Sequence, residues 1–157
     1  MKPENIFKEK LVSRLENENL NLMTIKHNDR NNIGFPDIQI LFNNKSYFWE
    51  IKYINRFFSD FRDSDFKHPF SKKQYLWAVK AKRKKVVSVG IVGFKDIVFI
   101  IPLYLMKKGK MKKKELDTCY NFSIDHITPD SIIGILKKCE ELAELPCLIK
   151  DILVEMA

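Results

Sequence analysis

The sequence predicts an α/β domain with a mixed central sheet flanked by helices. Three patterns carry that expectation. The opening stretch has apolar residues four apart, five later runs are rich in β-branched and aromatic residues, and a capped helix separates the first three runs from the last two. A chain of 157 residues with 45% hydrophobic content suits a single domain.

The first helix is expected over residues 3–18. Pro3 suits its first turn, and Phe7, Leu11 and Leu15 form the buried stripe. Residues 20–28 read as a first strand and Asp29–Ile33 as a polar loop. Asp37–Phe42 and Lys45–Tyr53 read as strands joined by Asn43-Asn44, a pair that tolerates the left-handed backbone of a tight hairpin. Ile54–Phe70 has no period and reads as a long loop. It carries Phe57, Phe58, Phe61, Phe66 and Phe70, which need burial beneath the sheet or in a dimer interface. Ser71 is placed to cap a helix through about Lys84. Val86–Gly93 and Ile97–Leu103 are two further strands, Lys107–Lys114 is a basic connector, and Pro129–Leu142 and Pro146–Met156 are C-terminal helices. The order is therefore αβββαββ plus C-terminal helices.

Charge narrows the partners. The net charge is +8, but residues 1–114 hold 25 basic and 11 acidic groups, whereas residues 115–157 hold three and nine. Such asymmetry suits a body that faces nucleic acid, with an acidic section turned elsewhere. Lys72, Lys73, Lys80, Lys82, Arg83, Lys84 and Lys85 crowd one helix, and phosphate contact is expected for some of them. Cys119, Cys139 and Cys147 show no metal-ligand spacing and read as reduced thiols. The charged start has no apolar signal segment and no apolar run approaches a membrane span, so a soluble cytoplasmic protein is expected.

The chemistry concentrates between Gly34 and Lys52. Glu50 and Lys52 share one face of their strand, because side chains alternate. If Asn43-Asn44 is a two-residue hairpin tip, Asp37 falls opposite Glu50. Facing carboxylates repel unless a cation lies between them, and a hard ion such as Mg²⁺ meets that need. Lys52 could then orient an attacking water and stabilise charge growing on a phosphorane-like transition state. A third carboxylate could come from the first helix. With Leu11 at 0°, Glu4 lies at about 20° and Glu18 at about −20°, inside the apolar stripe. Glu9 and Glu16 fall at about 160° and 140°, on the solvent side. Glu4 is the first choice and Glu18 the alternative, although a helix-dipole role explains Glu4 nearly as well.

Taken together, the glutamate-bearing first helix, Pro36-Asp37 after a glycine, Glu50-Ile51-Lys52, Gln74 in SKKQYLW and the following strand VVSVGIVGF resemble the PD-(D/E)xK nuclease superfamily. Within it they look most like Holliday-junction resolvases and virus-type replication-repair nucleases. The resemblance covers about residues 3–103 and implies a restriction-endonuclease-like core, with about 115–157 as a helical extension of a single domain. It implies that Asp37, Glu50 and Lys52 form a catalytic core using Mg²⁺ or Mn²⁺. It implies too that Gln74 positions water or phosphate, with Glu4 completing the carboxylates. Branched DNA is the expected substrate, cut by a homodimer, with Lys72, Lys73, Lys80, Arg83 and Lys84 as phosphate contacts. A flap or replication-repair nuclease is the alternative within the class. A non-catalytic nucleic-acid-binding protein on the same scaffold is the alternative outside it.

Overall fold

A computed structural model of the chain describes residues 2–17, 21–27, 34–54, 65–67, 70–107 and 110–144. It contains α1 (Pro3–Glu16), β1 (Met23–Lys26), β2 (Ile38–Phe42), β3 (Lys45–Tyr53), β4 (Asp65–Lys67) and α2 (Lys72–Arg83). There follow β5 (Val87–Phe94), β6 (Ile97–Ile101), α3 (Leu103–Met106), β7 (Lys110–Lys112), α4 (Lys113–Asp117), β8 (Tyr120–Ser123), a 3-10 turn (Ile124–His126) and α5 (Pro129–Glu144). Six strands form one sheet in the order β1-β2-β3-β5-β6-β8. Every neighbouring pair is antiparallel except β3 and β5 at its centre. A parallel pair needs a long crossover, and α2 lies within the one that joins β3 to β5.

Alternation along the central strands divides the core in two. Tyr47, Trp49 and Ile51 of β3 and Val89 and Ile91 of β5 pack with Phe7, Leu11, Val12 and Leu15 of α1 and with Ile132, Ile135 and Leu136 of α5. On the other face, Val92, Phe99 and Ile101 pack with Tyr75, Ala78 and Val79 of α2, Leu105 of α3 and Leu116 of α4. The result is a three-layer arrangement, with α1 and α5 on one face of the sheet and α2 to α4 on the other. Lys45 Nζ and the Tyr47 hydroxyl both donate to Glu140 Oε1, at 2.7 and 3.1 Å, and tie α5 to the start of β3.

Two glycines of β5 permit close approach. The Phe70 ring occupies the space where Gly90 would carry a side chain, and the Phe7 ring does the same at Gly93. A Cβ on Gly93 would lie 2.3 Å from Phe7 Cζ, far inside contact distance. Gly93→Ala is therefore expected to cost about 1–3 kcal/mol and to lower the melting temperature by roughly 3–10 °C. A Phe7→Leu change in the same chain should recover part of that loss in a thermal melt.

Several elements depart from the sequence expectation. The Ile54–Phe70 stretch contains β4, and the basic connector contains β7, which pairs with it as a separate two-stranded sheet. The acidic C-terminal section was expected to be helical only, yet β8 extends the main sheet beside β6. These are short, polar segments whose strand state comes from a neighbour's ladder rather than from their own alternation. Glu18, Asp29–Ile33, Phe57, Phe58, Phe61, Cys147 and the expected helix at Pro146–Met156 lie outside the described residues. Cys119 and Cys139 are free and buried. No described helix is long and apolar enough to cross a membrane.

Candidate active site

The hairpin register is the one its turn chemistry implies. Asn43 and Asn44 adopt φ of 50° and 62°, and Phe42 pairs with Lys45 and Ile38 with Trp49. The ladder stops there, however, one step before the expected Asp37–Glu50 pair. Asp37 lies in a bend after Pro36, and its backbone carbonyl accepts from the His27 N–H at 2.8 Å. Its side chain turns towards β3 and accepts from the Ile51 N–H at 3.1 Å. Glu50 instead takes Gly90 of β5 as its ladder partner.

The approach to Asp37 is held by backbone contact. Gly34 has φ of 91°, and the carbonyl oxygen of Lys73 lies 2.8 Å from where its Cβ would be. Only a glycine fits comfortably there, so the loop before Asp37 rests on the first turn of α2. That turn carries Gln74. The Ser71 hydroxyl accepts from the Gln74 N–H, and Gln74 Oε1 accepts from the Ser71 N–H, which makes a reciprocal capping box. The remaining amide nitrogen of Gln74 donates to Glu50 Oε1 at 2.6 Å.

Glu50 is the one charged residue among the fully buried described residues, with 5% of its surface exposed. Phe70, seated over the adjacent Gly90, helps to exclude water from that face. Oε1 also meets Lys52 Nζ at 3.5 Å, whereas Oε2 is buried with no hydrogen-bond partner. Burial, followed by the charge of Asp37, pushes the Glu50 carboxyl up to about 8, and the lysines oppose the shift without cancelling it. The structure thus joins Asp37, Glu50, Lys52 and Gln74 in one cluster.

It adds a residue the sequence reading passed over. Lys8 of α1 reaches Asp37, with Nζ 3.2 Å from Oδ2. A pocket of about 260 Å³ opens beside Asp37, lined by Asn5, Lys8, Glu9, Lys26 and Ile38. Glu4 is half-buried in the first turn of α1 and does not line this pocket, whereas Glu9, solvent-exposed as read, does. The missed signal is Val12, which is buried and lies about 100° round the helix from Leu11. It widens the apolar stripe towards Lys8 and Asn5, so the site lies on the flank of the stripe rather than at its centre.

The basic residues of α2 divide by distance. Lys72 and Lys73 are exposed beside Gln74, and Lys80, Arg83 and Lys84 are exposed two to three turns along the helix. A divalent ion fits the donor set: two hard carboxylates, a buried oxygen without a partner, and a charge repulsion that a cation relieves. Among the described residues no group of three or more acidic, His or Cys side chains converges as a ready-made metal cage. Such a sparse set suits Mg²⁺, which commonly takes one or two protein carboxylates and completes its shell from water and substrate.

No family model and no curated protein matches this chain by sequence. Its fold is nevertheless shared with a solved structure, that of Hjc, a Holliday junction resolvase from the archaeal hyperthermophile Archaeoglobus fulgidus. The two align with a TM-score of 0.56 at 11% identity, over 85% of this chain and 97% of that one. The expected restriction-endonuclease-like α/β architecture, with its mixed sheet and flanking helices, is therefore borne out, and so is the resemblance to resolvases at the level of the fold.

Proposed function

We propose that this protein is a metal-dependent endonuclease that hydrolyses phosphodiester bonds in branched DNA, as a resolvase of four-way junctions. The observation that carries the reading is the buried Glu50, whose Oε2 lacks a partner while Lys52 and Gln74 meet its Oε1 and the charge of Asp37 acts on it. The resolvase-like fold supports the substrate class.

Asp37 and Glu50 would hold Mg²⁺ or Mn²⁺, with Glu9 or Glu4 of α1 completing the carboxylates. The bound ion supplies Lewis acidity at the phosphoryl group. Lys52 places its ammonium beside the Glu50 carboxylate, where it can orient the attacking water and offset negative charge growing on phosphorus. Gln74 fixes the Glu50 carboxylate through Oε1 and leaves Oε2 for the ion. Lys72 and Lys73 would grip phosphates close to the cut, and Lys80, Arg83 and Lys84 phosphates further along the strand. Symmetric resolution needs two such sites, hence a C2 homodimer.

One observation favours a second reading. Lys8 already neutralises Asp37 from within the chain, an arrangement that suits a non-catalytic nucleic-acid-binding protein. Incubation with four-way, flap and linear duplex DNA, in Mg²⁺ or EDTA, separates these cases. Paired, symmetric, Mg²⁺-dependent nicks in the four-way junction are the expected result. Cutting confined to flaps would point to a flap or replication-repair nuclease, and binding with no cleavage of any substrate would favour the scaffold.

A further inference from the structure

Lys8 lies on α1, away from the hairpin that carries Asp37, Glu50 and Lys52, yet its ammonium stands against Asp37 with only 22% of the side chain exposed. It also lines the pocket beside that carboxylate, together with Lys26 and Glu9. The charges there are two carboxylates, Asp37 and Glu9, against two ammonium groups, Lys8 and Lys26, so the pocket is balanced as it stands. A divalent ion on Asp37 would upset that balance by its full charge. It would also place a dication and an ammonium on one carboxylate, where they repel. The Lys8 stem is long and unbranched, and the pocket next to it offers somewhere to turn. What the unbalanced pocket would then attract is an anion.

We propose that Lys8 is an exchangeable counter-ion, which neutralises Asp37 until a divalent cation binds and then turns into the adjoining pocket to hold, with Lys26, a backbone phosphate of the nucleic acid. This rests on the metal-dependent reading given above. It makes metal loading and substrate binding cooperative, because the ion releases the lysine that the phosphate needs. It also gives Lys8→Gln two effects of opposite sign. Losing a competing cation tightens the metal, and losing a phosphate contact loosens the DNA.

The test compares the wild type with Lys8→Gln, Lys8→Arg and Lys26→Gln. Mn²⁺ affinity is measured without DNA by calorimetry, and junction affinity in Ca²⁺ by fluorescence anisotropy across a salt series. Lys8→Gln should bind Mn²⁺ roughly 3- to 10-fold tighter than wild type. Its junction affinity should fall by about the same factor, with a log–log salt slope smaller by about 1. Lys8→Arg should stay near wild type in both assays. Lys26→Gln, at an exposed position, should lose DNA affinity without gaining metal affinity, and it carries the DNA arm if Lys8→Gln lowers the melting temperature. Unchanged or weaker Mn²⁺ binding by Lys8→Gln overturns the exchange, since Lys8 would then merely prop Asp37. An unaltered salt slope in both variants overturns the phosphate role. Absence of Mn²⁺ binding by the wild type overturns the exchange and the metal-dependent reading together. Both shifts as expected, in a protein that cuts no DNA, would uphold the exchange and sink the nuclease.

Discussion

Asp37→Asn is expected to reduce junction cleavage by roughly 10³-fold or more while leaving the fold and junction binding in Ca²⁺ near wild type. A metal-supplied stabilisation of several kcal/mol corresponds to that factor, at about 1.36 kcal/mol per tenfold. Asn has nearly the same shape as Asp, and its amide oxygen can still accept the Ile51 N–H that Asp37 accepts at 3.1 Å. What disappears is the negative charge that would hold the ion and that now pairs with Lys8. The same charge helps to raise the Glu50 carboxyl, so its removal should also let Glu50 ionise at lower pH. Single-turnover cleavage with excess enzyme separates the catalytic loss from any change in binding. Retention of more than about a tenth of wild-type cleavage would remove Asp37 from the chemistry.

The second large effect concerns pH and Glu50. In the metal-free protein this carboxyl is raised to about 8, first by burial and then by Asp37. The unfolded chain releases the proton near the ordinary carboxylate value, whereas the folded chain keeps it until about 8. Stability from this group is therefore full below the unfolded value, falls as pH rises through the window between the two, and is level above it. In EDTA, Glu50→Gln should flatten that slope. At pH 8 it should melt higher than wild type by on the order of 10 °C, taking up to about 5 kcal/mol from linkage as the upper limit. With Mg²⁺ the order should reverse, because the ion binds the ionised wild-type carboxylate and the glutamine offers it no charge. Metal affinity of the wild type should accordingly rise with pH up to about 8. Parallel melting curves for the two proteins between pH 5 and 8 in EDTA would show that Glu50 is not raised.

The parts legible in the sequence were those fixed by local chemistry. Asn43-Asn44 set the hairpin register, Ser71 and Gln74 announced the start of α2, and alternation put Glu50 and Lys52 on one face of β3. Burial of Glu50 was less legible, because its neighbours Gly90 of β5 and Gln74 of α2 are distant in sequence. The short strands β4, β7 and β8 have little periodicity of their own and exist through pairing. On α1, the three-residue stripe of Phe7, Leu11 and Leu15 was correct but too narrow. Adding Val12 would have turned attention from Glu4 to Lys8 and Glu9. That is a matter of where a helix axis lies on a sheet, which no wheel drawn from the helix alone contains.

Position 74 shows how folding and chemistry can ask for different residues at one place. A reciprocal helix cap is made equally well by glutamate or glutamine, since either supplies the oxygen that accepts the Ser71 N–H. Glutamate would even suit the helix dipole better. At this position, though, the other terminal atom faces Glu50 Oε1 at 2.6 Å, where a second carboxylate oxygen would meet the first head-on. Unlike an ionised glutamate, the amide accepts on one side and donates on the other. A substitution scored as conservative for α2 would thus be charge-disruptive for the cluster, and variants tolerant at this site should trade helix stability against acidity rather than against size.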